Sequence, residues 1–319
     1  MVLAAGLGTR LRPLTHVRAK PAVPVNGRPL VRRILTWLAG HGIVDAVVNL
    51  HHRPATVAAV IGDGSDLGLR VRYSWEQPIL GSAGGPRQAL PLLTDGHGGP
   101  FLIVNGDTLS TVDVTALLDR HAASGAAVTM ALIANPAPAK YGGVTVSRDG
   151  FVTGFTRAGT PGDSFHFVGV QVADARAFEA LAAGIPAESV NALYPRLLAA
   201  DTGAIAAFVS GASFDDIGTP RDYLATSLAL ADLEGPALVS TRSEIDDTAA
   251  IERTVVWDDV AIGRHTRLTE CIVADGVRLP HGASYERSVI VRHDGAAPAA
   301  DERVNDGLLI RSIGIGISR

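Results

Sequence analysis

The chain opens with a short apolar strand that runs directly into a glycine-rich turn, and this feature restricts the possible folds more than any other. Leu3 ends the strand, and the turn after it contains Ala4, Ala5, Gly6, Gly8 and Thr9. Arg10 follows at once, and Lys20 comes a little later. Glycine lets backbone N–H groups approach a polyphosphate without interference from a Cβ atom, and Arg and Lys add positive charge. The segment therefore predicts a phosphate-binding turn. Since only Met1 and Val2 precede Leu3, we expect the first strand to be short.

Two other glycine-rich nucleotide-binding motifs do not fit this turn. A dinucleotide-binding fingerprint requires a third glycine three residues after Gly8, and that position holds Leu11. A P-loop requires Gly-Lys followed by Ser or Thr, and the turn has no such triplet. Two glycines alone are typical of an ordinary tight turn, so the prediction depends on the whole segment.

Roughly the first 230 residues alternate apolar strand-like runs with helical patterns, which predicts a mostly parallel sheet with helices on both faces. Strands are predicted over residues 44–50, 70–75 and 101–105, and helices over 29–41, 87–93, 114–123 and 220–233. Thr219 is a predicted N-cap. From residue 126 to 172 strand follows strand, which should add antiparallel pairing. We therefore predict an α/β catalytic domain over residues 1–235, with a Rossmann-like, mixed and mostly parallel sheet flanked by helices.

A different pattern begins at Val256, where residues of similar type recur at every sixth position. One phase of this repeat contains Val256, Ile262 and Leu268, and another contains Val260, Thr266 and Ile272. Such a step is typical of a left-handed parallel β-helix, and a few ordinary strands are the alternative. About two coils cannot bury a core alone, so we expect packing on the first domain or on another subunit, in a homo-oligomer such as a dimer. Residues 236–319 are assigned to a linker, this short β-helix and a tail that is partly loose from His293 onward.

Charge and composition exclude several classes of partner. The net charge is -4, and no basic stretch would attract nucleic acid or an anionic membrane surface. No apolar run approaches the ~20 residues of a membrane-spanning helix. The only cysteine, Cys271, excludes an intramolecular disulfide and is compatible with a reducing compartment. We therefore expect a cytoplasmic protein with neither nucleic acid nor membrane as a partner.

Two carboxylates stand where an α/β sheet would bind its ligands. Asp107 follows the predicted strand 101–105, and the carboxyl ends of such strands hold ligands. Asp216 follows a strand-like run at 204–210, just before the last predicted helix. Carboxylates from distant segments suit Mg²⁺, which takes one or two of them and completes its octahedron with water and phosphate oxygens. Taken singly, Asp107 is more typical of a turn and Asp216 of a helix cap.

Several blocks of the sequence resemble the sugar-nucleotide pyrophosphorylases of the nucleotidyl-transferase family. The blocks are Leu-Ala-Ala-Gly-x-Gly-Thr-Arg-Leu at 3–11, Lys-Pro-x-x-Pro-Val at 20–25, Leu-Gly-Ser-Ala-Gly-Gly at 80–85, Val-Asn-Gly-Asp at 104–107, Tyr-Gly at 141–142 and Asp-Ile-Gly-Thr-Pro at 216–220. The resemblance implies an enzyme that joins a nucleotidyl group from an NTP to a sugar 1-phosphate, with release of pyrophosphate and Mg²⁺ as cofactor. The pattern is most similar to members that use GTP and mannose 1-phosphate.

The resemblance also implies a role for each matching residue. Catalytic roles fall on the cations Arg10 and Lys20, and the metal ligands are Asp107 and Asp216. The implied nucleotide-binding residues are Ala4, Ala5, Gly6, Gly8, Thr9, Glu76 and Gly81. Those implied for the sugar phosphate are Tyr141, Gly142, Arg157 and Gly169.

The identity of the base and of the sugar depends on fewer residues. A carboxylate such as Glu76 accepts two hydrogen bonds and donates none, which matches the N1–H and 2-amino groups of guanine, whereas a Gln such as Gln77 reads uracil or thymine better. On the sugar side Thr156, Arg157 and Ala158 replace the family's Glu-Lys-Pro. Arg157 is a substitute for the Lys, but Thr156 cannot replace a Glu that reads sugar hydroxyls. We expect a mannose- or heptose-type sugar.

Two alternatives stay open from sequence alone. One keeps the fold and transfers a uridylyl or thymidylyl group to another sugar 1-phosphate, such as N-acetylmuramate 1-phosphate or glucose 1-phosphate. The other is a regulatory or assembly subunit that binds a nucleotide sugar without turnover. The joint presence of Arg10, Lys20, Asp107 and Asp216 argues against the second alternative.

Overall fold

The computed structural model describes residues 1–94 and 98–314, and these divide into two compact units that interleave along the chain. The first unit contains Met1–Gly6 and Val31–Asp215. The second contains Leu7–Leu30 together with the chain from Asp216 onward. The glycine-rich turn is therefore divided between the units, with Ala4, Ala5 and Gly6 in the first and Gly8 and Thr9 in the second, which also contains the C-terminal repeat.

The chain up to Asp216 supplies the strands of the α/β part. In chain order these are β1 (Val2–Leu3), β2 (Pro24–Val25), β3 (Arg28–Pro29), β4 (Asp45–Leu50), β5 (Arg70–Trp75), β6 (Pro100–Asn105), β7 (Thr108–Ser110), β8 (Val128–Ala134), β9 (Gly143–Val146), β10 (Val152–Thr156), β11 (Phe165–Asp174), β12 (Ile205–Val209) and β13 (Phe214–Asp216). The helices are α1 (Leu30–Gly40), α2 (Pro54–Ile61), α3 (Gly81–Leu93), α4 (Val114–Ser124), α5 (Tyr194–Ala200) and α6 (Pro220–Glu234).

One mixed sheet forms the centre of the first unit. Its order is β10-β9-β11-β6-β1-β4-β5, with β8 between β11 and β12. Strand β1 is parallel to β4 and β6, while β11 is antiparallel to β6 and β8. The predicted α/β class is confirmed, including the antiparallel pairing expected after residue 126. Because β1 and β6 are parallel neighbours, the glycine-rich turn and Asp107 follow strands that end at the same edge of the sheet.

The four predicted helices correspond to α1, α3, α4 and α6, whereas α2 and α5 were not predicted. The start of α3 also differs from the prediction. The prediction began this helix at residue 87, yet α3 begins at Gly81. Glycines favour a loop in sequence-based reasoning, but here the carbonyl oxygen of Ala187 accepts hydrogen bonds from the backbone of Ala83 and Gly84 at 2.9 and 3.1 Å. These bonds satisfy N–H groups that the first turn of a helix leaves unpaired. Among the described residues, no helix is long and apolar enough to cross a membrane.

The segment Leu7–Leu30 in the second unit folds as short turns and one hairpin. Its 3₁₀ helices are Thr9–Leu11, Leu14–His16 and Lys20–Ala22. Strands β2 and β3 pair across Asn26 and Gly27, whose φ angles are 44° and 73°. Positive φ at both central residues is the geometry that Asn-Gly favours in a two-residue hairpin. The Asn26 side chain also accepts a hydrogen bond from the Ala237 backbone at 2.8 Å.

The C-terminal repeat is a parallel β-helix, as predicted. Its strands are β14 (Glu244–Ile245), β15 (Ala250–Glu252), β16 (Val255–Val256), β17 (Ala261–Ile262), β18 (Arg267–Thr269), β19 (Ile272–Val273), β20 (Arg278–Leu279), β21 (Ser284–Glu286) and β22 (Ser288–Arg292). They stack into three sheets that each contain three of these strands, so there are three coils rather than two. The missed coil begins at Glu244, where charged and polar residues obscure the apolar step. Inside, the buried residues Val256, Ile262 and Leu268 share one core with Cys271.

The tail is more ordered than the sequence predicts. Strands β23 (Glu302–Asn305) and β24 (Leu308–Ser312) form a hairpin that extends the third sheet of the β-helix beside β22. Asp306 and Gly307 take positive φ angles of 49° and 74° at its turn. The prediction of a partly loose tail from His293 is therefore wrong for residues 302–312, where the Asp-Gly turn closes a hairpin, whereas residues 293–301 contain only turns and irregular loop. Residues 315–319 lie outside the described part of the chain.

Candidate active site

The glycine-rich turn depends on a close approach that only glycine allows. Gly8 has a φ of 60°, and a Cβ atom built on it would lie 2.7 Å from Cγ2 of Thr15 and 3.2 Å from Cβ of Lys20. The Thr15 hydroxyl donates to the carbonyl oxygen of Gly8 at 3.1 Å. At Gly6 a Cβ atom would meet nothing within 4 Å, so the backbone there is open. The turn therefore packs on Thr15 and on the stem of Lys20, and sequence reasoning missed Thr15.

Lys20 combines a positive charge with burial. The residue is 8% exposed and begins the 3₁₀ helix Lys20–Ala22, in which Pro21 and Ala22 are also buried. Burying an ammonium group costs free energy unless its surroundings compensate the charge, so lysine is rarely buried in proteins. Lys20 is thus buried, and its stem packs against the Gly8 turn.

Arg10 is exposed and lies beside a carboxylate. Its Nη1 is 3.7 Å from Oδ2 of Asp216, with 60% of the Arg10 side chain and 11% of the Asp216 side chain exposed. An exposed pair at this distance contributes little stability. A Cβ atom on Gly218 would lie 2.8 Å from Nη1 of Arg10 and 2.9 Å from Oδ2 of Asp216, which explains the glycine in this block. The second unit therefore brings together the Gly8 turn, Lys20, Arg10 and Asp216.

Glu76 lies in a buried network within the first unit. It is 1% exposed. Its Oε1 accepts a hydrogen bond from the Asn49 side chain at 2.6 Å, and its Oε2 accepts one from the Leu80 backbone at 2.8 Å. The Asn49 side chain in turn accepts from the backbone N–H of Ala4 at 2.6 Å. The network joins the end of β1 to the loop before Gly81, and Asn49 was missed because an Asn inside a strand carries no motif. That Glu76 reads the base stays a prediction.

Gly81 opens α3 at a point where a side chain would not fit. Its φ is 75°, and a Cβ atom there would lie 2.5 Å from Oε1 of Glu188 and 2.8 Å from the carbonyl oxygen of Ala187. The Ser82 hydroxyl donates to the same Glu188 carboxylate at 2.7 Å. The glycines of this block therefore allow the Ala187–Glu188 segment to approach the first turn of the helix.

Asp107 follows β6 next to the end of β1. The backbone N–H of Gly106 donates to the carbonyl oxygen of Leu3 at 2.9 Å, and a Cβ on Gly106 would collide with that carbonyl. On the other side of β6, Gly169 in β11 has a φ of 78°, and a Cβ there would lie 2.7 Å from Nδ2 of Asn105. The predicted sugar-side residue Gly169 thus lies beside the strand that leads to half-buried Asp107.

An aromatic cluster surrounds Tyr141. Its ring centre is 4.4 Å from that of His166 and 5.7 Å from that of Phe214, and Nζ of Lys140 is 4.9 Å from it. Burial, followed by the positive charge of Lys140, lowers the pKa of His166 despite its hydrogen bond to the Gly142 backbone. His166 and Phe214 were missed because single aromatic residues are more often core than ligand.

Two further residues predicted for the sugar side are Arg157 and Gly142. Arg157 is exposed on the loop after β10. A Cβ atom on Gly142 would lie 2.9 Å from the Thr156 carbonyl oxygen, so Gly142 allows the close passage of β10.

The donor set fits a magnesium ion better than a softer metal. Asp107 and Asp216 offer hard carboxylate oxygens, and Mg²⁺ needs only one or two of them from the protein. Within residues 1–94 and 98–314, no group of three or more His, Cys, Asp and Glu side chains is placed to hold a metal ion. That finding excludes from these residues a cage of the kind that binds zinc, but not a two-carboxylate magnesium site.

Two features define the class of this protein. The first strand of its α/β sheet ends in a cationic, glycine-rich turn, and a hexapeptide β-helix follows the sheet. Together they define a two-part nucleotidyl-transferring enzyme. The chain belongs to the nucleotidyl transferase family, whose model matches residues 1–232. A second model, the GlmU-like C-terminal hexapeptide, matches residues 234–287. These matches confirm the family that the sequence blocks indicated.

Relatives that are named as sugar-1-phosphate nucleotidyltransferases match this chain. The mannose-1-phosphate guanylyltransferase of Mycobacterium tuberculosis is 32% identical over 300 residues, covering 90% of this chain and 82% of that protein. The probable mannose-1-phosphate guanylyltransferase 1 of Oryza sativa subsp. japonica is 29% identical and covers 92% of this chain and 86% of its own length. The N-acetylmuramate alpha-1-phosphate uridylyltransferase of Neisseria meningitidis is 44% identical over 117 residues, 36% of this chain and 49% of that protein. The predicted enzyme class, a sugar-1-phosphate nucleotidyltransferase, is thereby confirmed.

Solved structures agree on the fold. The crystal structure of HddC from Yersinia pseudotuberculosis superposes with a TM-score of 0.63 at 22% identity, over 72% of this chain and 97% of that chain. At this level of identity the likeness shows the fold alone.

Proposed function

We propose that this enzyme transfers a guanylyl group from GTP to mannose 1-phosphate, or to a heptose 1-phosphate of similar configuration, and releases pyrophosphate. The observation that carries the proposal is the packing of the Gly8 turn on Lys20, with Arg10 beside Asp216 in the same unit. The similarity to mannose-1-phosphate guanylyltransferases over nearly the whole chain supports GTP and mannose as substrates.

The reaction brings together two anions. An oxygen of the sugar 1-phosphate attacks the α-phosphorus of GTP, and a new P–O bond forms. The bond from the α-phosphorus to the oxygen that bridges the β-phosphate breaks, and that oxygen leaves with pyrophosphate. Because the nucleophile is already an anion, no general base is needed, and the protein contributes alignment and neutralisation of charge.

The two cations divide this work according to their exposure. Buried Lys20 is fixed in position, so it suits the α-phosphate, where charge develops as the new bond forms. Exposed Arg10 suits the β- and γ-phosphates and the departing pyrophosphate, since a guanidinium binds phosphate oxygens in pairs. The backbone of Ala4, Ala5 and Thr9 completes the nucleotide site in this proposal.

Asp107 and Asp216 would hold the Mg²⁺ ion. Asp107 directly precedes β7, and Asp216 is the last residue of β13. The ion pair of Arg10 with Asp216 supports this proposal, since it places a positive charge beside this carboxylate. When bound, Mg²⁺ neutralises phosphate charge that would otherwise repel the nucleophile.

For the sugar phosphate we propose Tyr141, Gly142, Arg157 and Gly169. The aromatic cluster at Tyr141 offers an apolar wall, and exposed Arg157 offers a cation for the phosphate. A cytoplasmic location and a homodimer stay predictions from the sequence.

A panel of substrates tests the proposal. Pyrophosphate release is measured with GTP, ATP, UTP and dTTP against several sugar 1-phosphates, and GTP with mannose 1-phosphate is expected to give the highest kcat/KM.

Replacement of Lys20 by Met keeps the apolar stem but removes the charge, and we expect kcat to fall by about 100-fold or more, as for loss of one preorganised transition-state contact. Circular dichroism checks that the variant is folded. Wild-type turnover of Lys20→Met would remove Lys20 from the mechanism.

A second candidate is uridylyl transfer. The observation that favours it is the higher identity to the Neisseria uridylyltransferase over 117 residues. If UTP with N-acetylmuramate 1-phosphate gives the higher kcat/KM in the same panel, this candidate replaces guanylyl transfer.

A further inference from the structure

Arg18 lies just before Lys20, and two carboxylates of the β-helix hold its guanidinium. Nε donates to Oδ2 of Asp275 at 2.6 Å, and Nη2 donates to Oδ1 of Asp275 at 2.7 Å and to Oδ2 of Asp258 at 2.6 Å. The two aspartates occupy equivalent positions in successive coils, as the pairing of β16 with β19 shows. Only 14% of the Arg18 side chain is exposed. This is a largely buried ion pair with bidentate geometry, unlike the exposed pairs elsewhere on the surface.

An aromatic pair completes the surroundings of Arg18. The guanidinium carbon is 5.4 Å from the ring centre of buried Trp257, and the Trp257 indole N–H donates to the Tyr223 hydroxyl at 2.8 Å. The Tyr223 hydroxyl donates to the carbonyl oxygen of Pro24. The segment that carries Lys20 is therefore attached on both sides, through Arg18 before it and through Pro24 after it.

The connection from this anchor to Lys20 is short and buried. Only Ala19 lies between Arg18 and Lys20, and Ala19 is fully buried. Burial alone would lower the pKa of Arg18, but the hydrogen bonds to Asp275 and Asp258 raise it above its ordinary value, so the charge persists. Removing the guanidinium would take from Asp275 its partner in the bidentate ion pair and leave Asp258 with the exposed Arg242, which favours a rearrangement of this segment.

We propose that Arg18 is a positioning residue for Lys20, held by the β-helix, so that the hexapeptide domain forms part of the catalytic apparatus. This inference rests on the catalytic role proposed for Lys20. Misplacing a catalytic group by about 1 Å can cost about 100-fold in rate, so a small shift of the segment is enough to slow the reaction.

The test uses the full-length enzyme, with the NTP and sugar 1-phosphate that the substrate panel identifies. Arg18→Met keeps the stem and removes the guanidinium, and we expect kcat at saturating substrates to fall by about 10-fold or more. Arg18→Lys should restore little, because one ammonium cannot bind two carboxylates in the same fork geometry. Circular dichroism gives the folded fraction of each variant, and rates are expressed per folded enzyme.

Arg242→Met is the matched control. Arg242 also approaches Asp258, at 3.6 Å, but it lies outside the Leu7–Leu30 segment and 62% of its side chain is exposed. Its kcat should equal that of the wild type. If Arg18→Met does not fold, Asp275→Asn replaces it, since Asn keeps the shape of Asp275 and removes its charge. A smaller loss of kcat in the same direction is expected, and an unchanged kcat overturns the proposal.

A double-mutant cycle separates positioning of Lys20 from a general structural role. In a Lys20→Met background, Arg18→Met should change kcat by no more than about twofold, because its partner in catalysis is already absent. An equal fold loss in both backgrounds, or unchanged kcat in Arg18→Met alone, overturns the inference. If instead Lys20→Met itself keeps wild-type turnover, the proposed role of Lys20 fails and the inference fails with it.

Discussion

At the scale of single residues, Glu76 is fixed by hydrogen bonds to both of its carboxylate oxygens. Asn49 donates to one oxygen and the Leu80 backbone donates to the other. Because Asn49 also accepts from the Ala4 backbone, the Glu76 carboxylate connects the loop after β1 with the loop before α3, the two loops proposed to bind the nucleotide. A Cβ atom on Gly85 would lie 2.5 Å from Oε1 of Glu76, so α3 packs directly against this carboxylate.

We expect Glu76→Gln to lower the free energy of unfolding by about 1–3 kcal/mol, because the new amide group would place a donor against a donor of Asn49 or Leu80. If Glu76 acts only through the two loops, kcat/KM should fall by a similar factor for all four NTPs. If Glu76 reads guanine, the loss should be specific to GTP. Urea unfolding and the NTP panel measure the two effects.

Gln77→Glu is the matched control for this variant. Gln77 is the exposed neighbour of Glu76, so the substitution should leave the free energy of unfolding unchanged within about 0.5 kcal/mol. A loss of stability in Gln77→Glu but not in Glu76→Gln would contradict the network described for Glu76.

At the scale of elements, α6 shows how local sequence and tertiary packing support each other. The Thr219 hydroxyl accepts from the Asp222 backbone at 3.2 Å, and the Asp222 side chain accepts from the Thr219 backbone at 3.0 Å. This capping box confirms the predicted N-cap. Buried Tyr223 in this helix accepts a hydrogen bond from Trp257, whose ring lies beside Arg18. The cap therefore stabilises a helix that contacts the surroundings of Arg18.

Thr219→Ala should lower the free energy of unfolding by about 1 kcal/mol, the usual contribution of an N-cap hydroxyl. Thr219→Ser keeps the hydroxyl and should stay close to the wild type. Both are measured by urea unfolding followed by circular dichroism. Equal destabilisation by Ala and Ser would show that the methyl group of Thr219, and not its hydrogen bond, is what matters.

The β-helix corners repeat as regularly as its strands. Thr254, Cys271 and Ser288 occupy equivalent corner positions, and each side chain contacts the carbonyl oxygen two residues before it. The residues before them, Arg253, Glu270 and Arg287, all have positive φ. Burial raises the pKa of Cys271 to about 11, so this thiol is an inert corner residue at neutral pH.

At the scale of the whole molecule, the second unit combines Gly8 and Thr9 of the glycine-rich turn with the β-helix. Leu7–Leu30 belongs to this unit although the segment Val31–Asp215 separates it from Asp216 along the chain. A ligand that binds the native turn should therefore stabilise the β-helix, since binding to the native state alone raises its stability.

GTP is expected to raise the stability of the second unit by about 2.7 kcal/mol at a concentration 100 times its Kd. Of the three tryptophans only Trp257 belongs to this unit, so its fluorescence in a Trp37→Phe, Trp75→Phe background reports urea unfolding of the β-helix. The same titration in a Lys20→Met background should give a smaller shift. A Trp257 transition that does not respond to saturating GTP would contradict the coupling.

Much of the fold was predictable from local patterns. The glycine-rich turn after a strand, the alternation of strands and helices, the cap at Thr219 and the six-residue step from Val256 each depend on residues that are close along the chain. Such patterns reflect backbone sterics, capping and periodic burial, which a sequence displays directly. The family and the class of enzyme followed from the same segments.

Contacts between distant residues were decided only by the tertiary structure. Arg18 binds Asp275, 257 positions away, and no spacing rule relates such a pair. The burial of Glu76, the cluster at His166 and the third coil of the β-helix likewise depend on what packs around each residue. The amino-acid sequence by itself determined the class of reaction, because the charged residues and glycines that indicate it lie in short motifs. Only the tertiary structure decided where these side chains lie and which residues bind them, since burial and ion pairing depend on what packs around each residue in the folded chain.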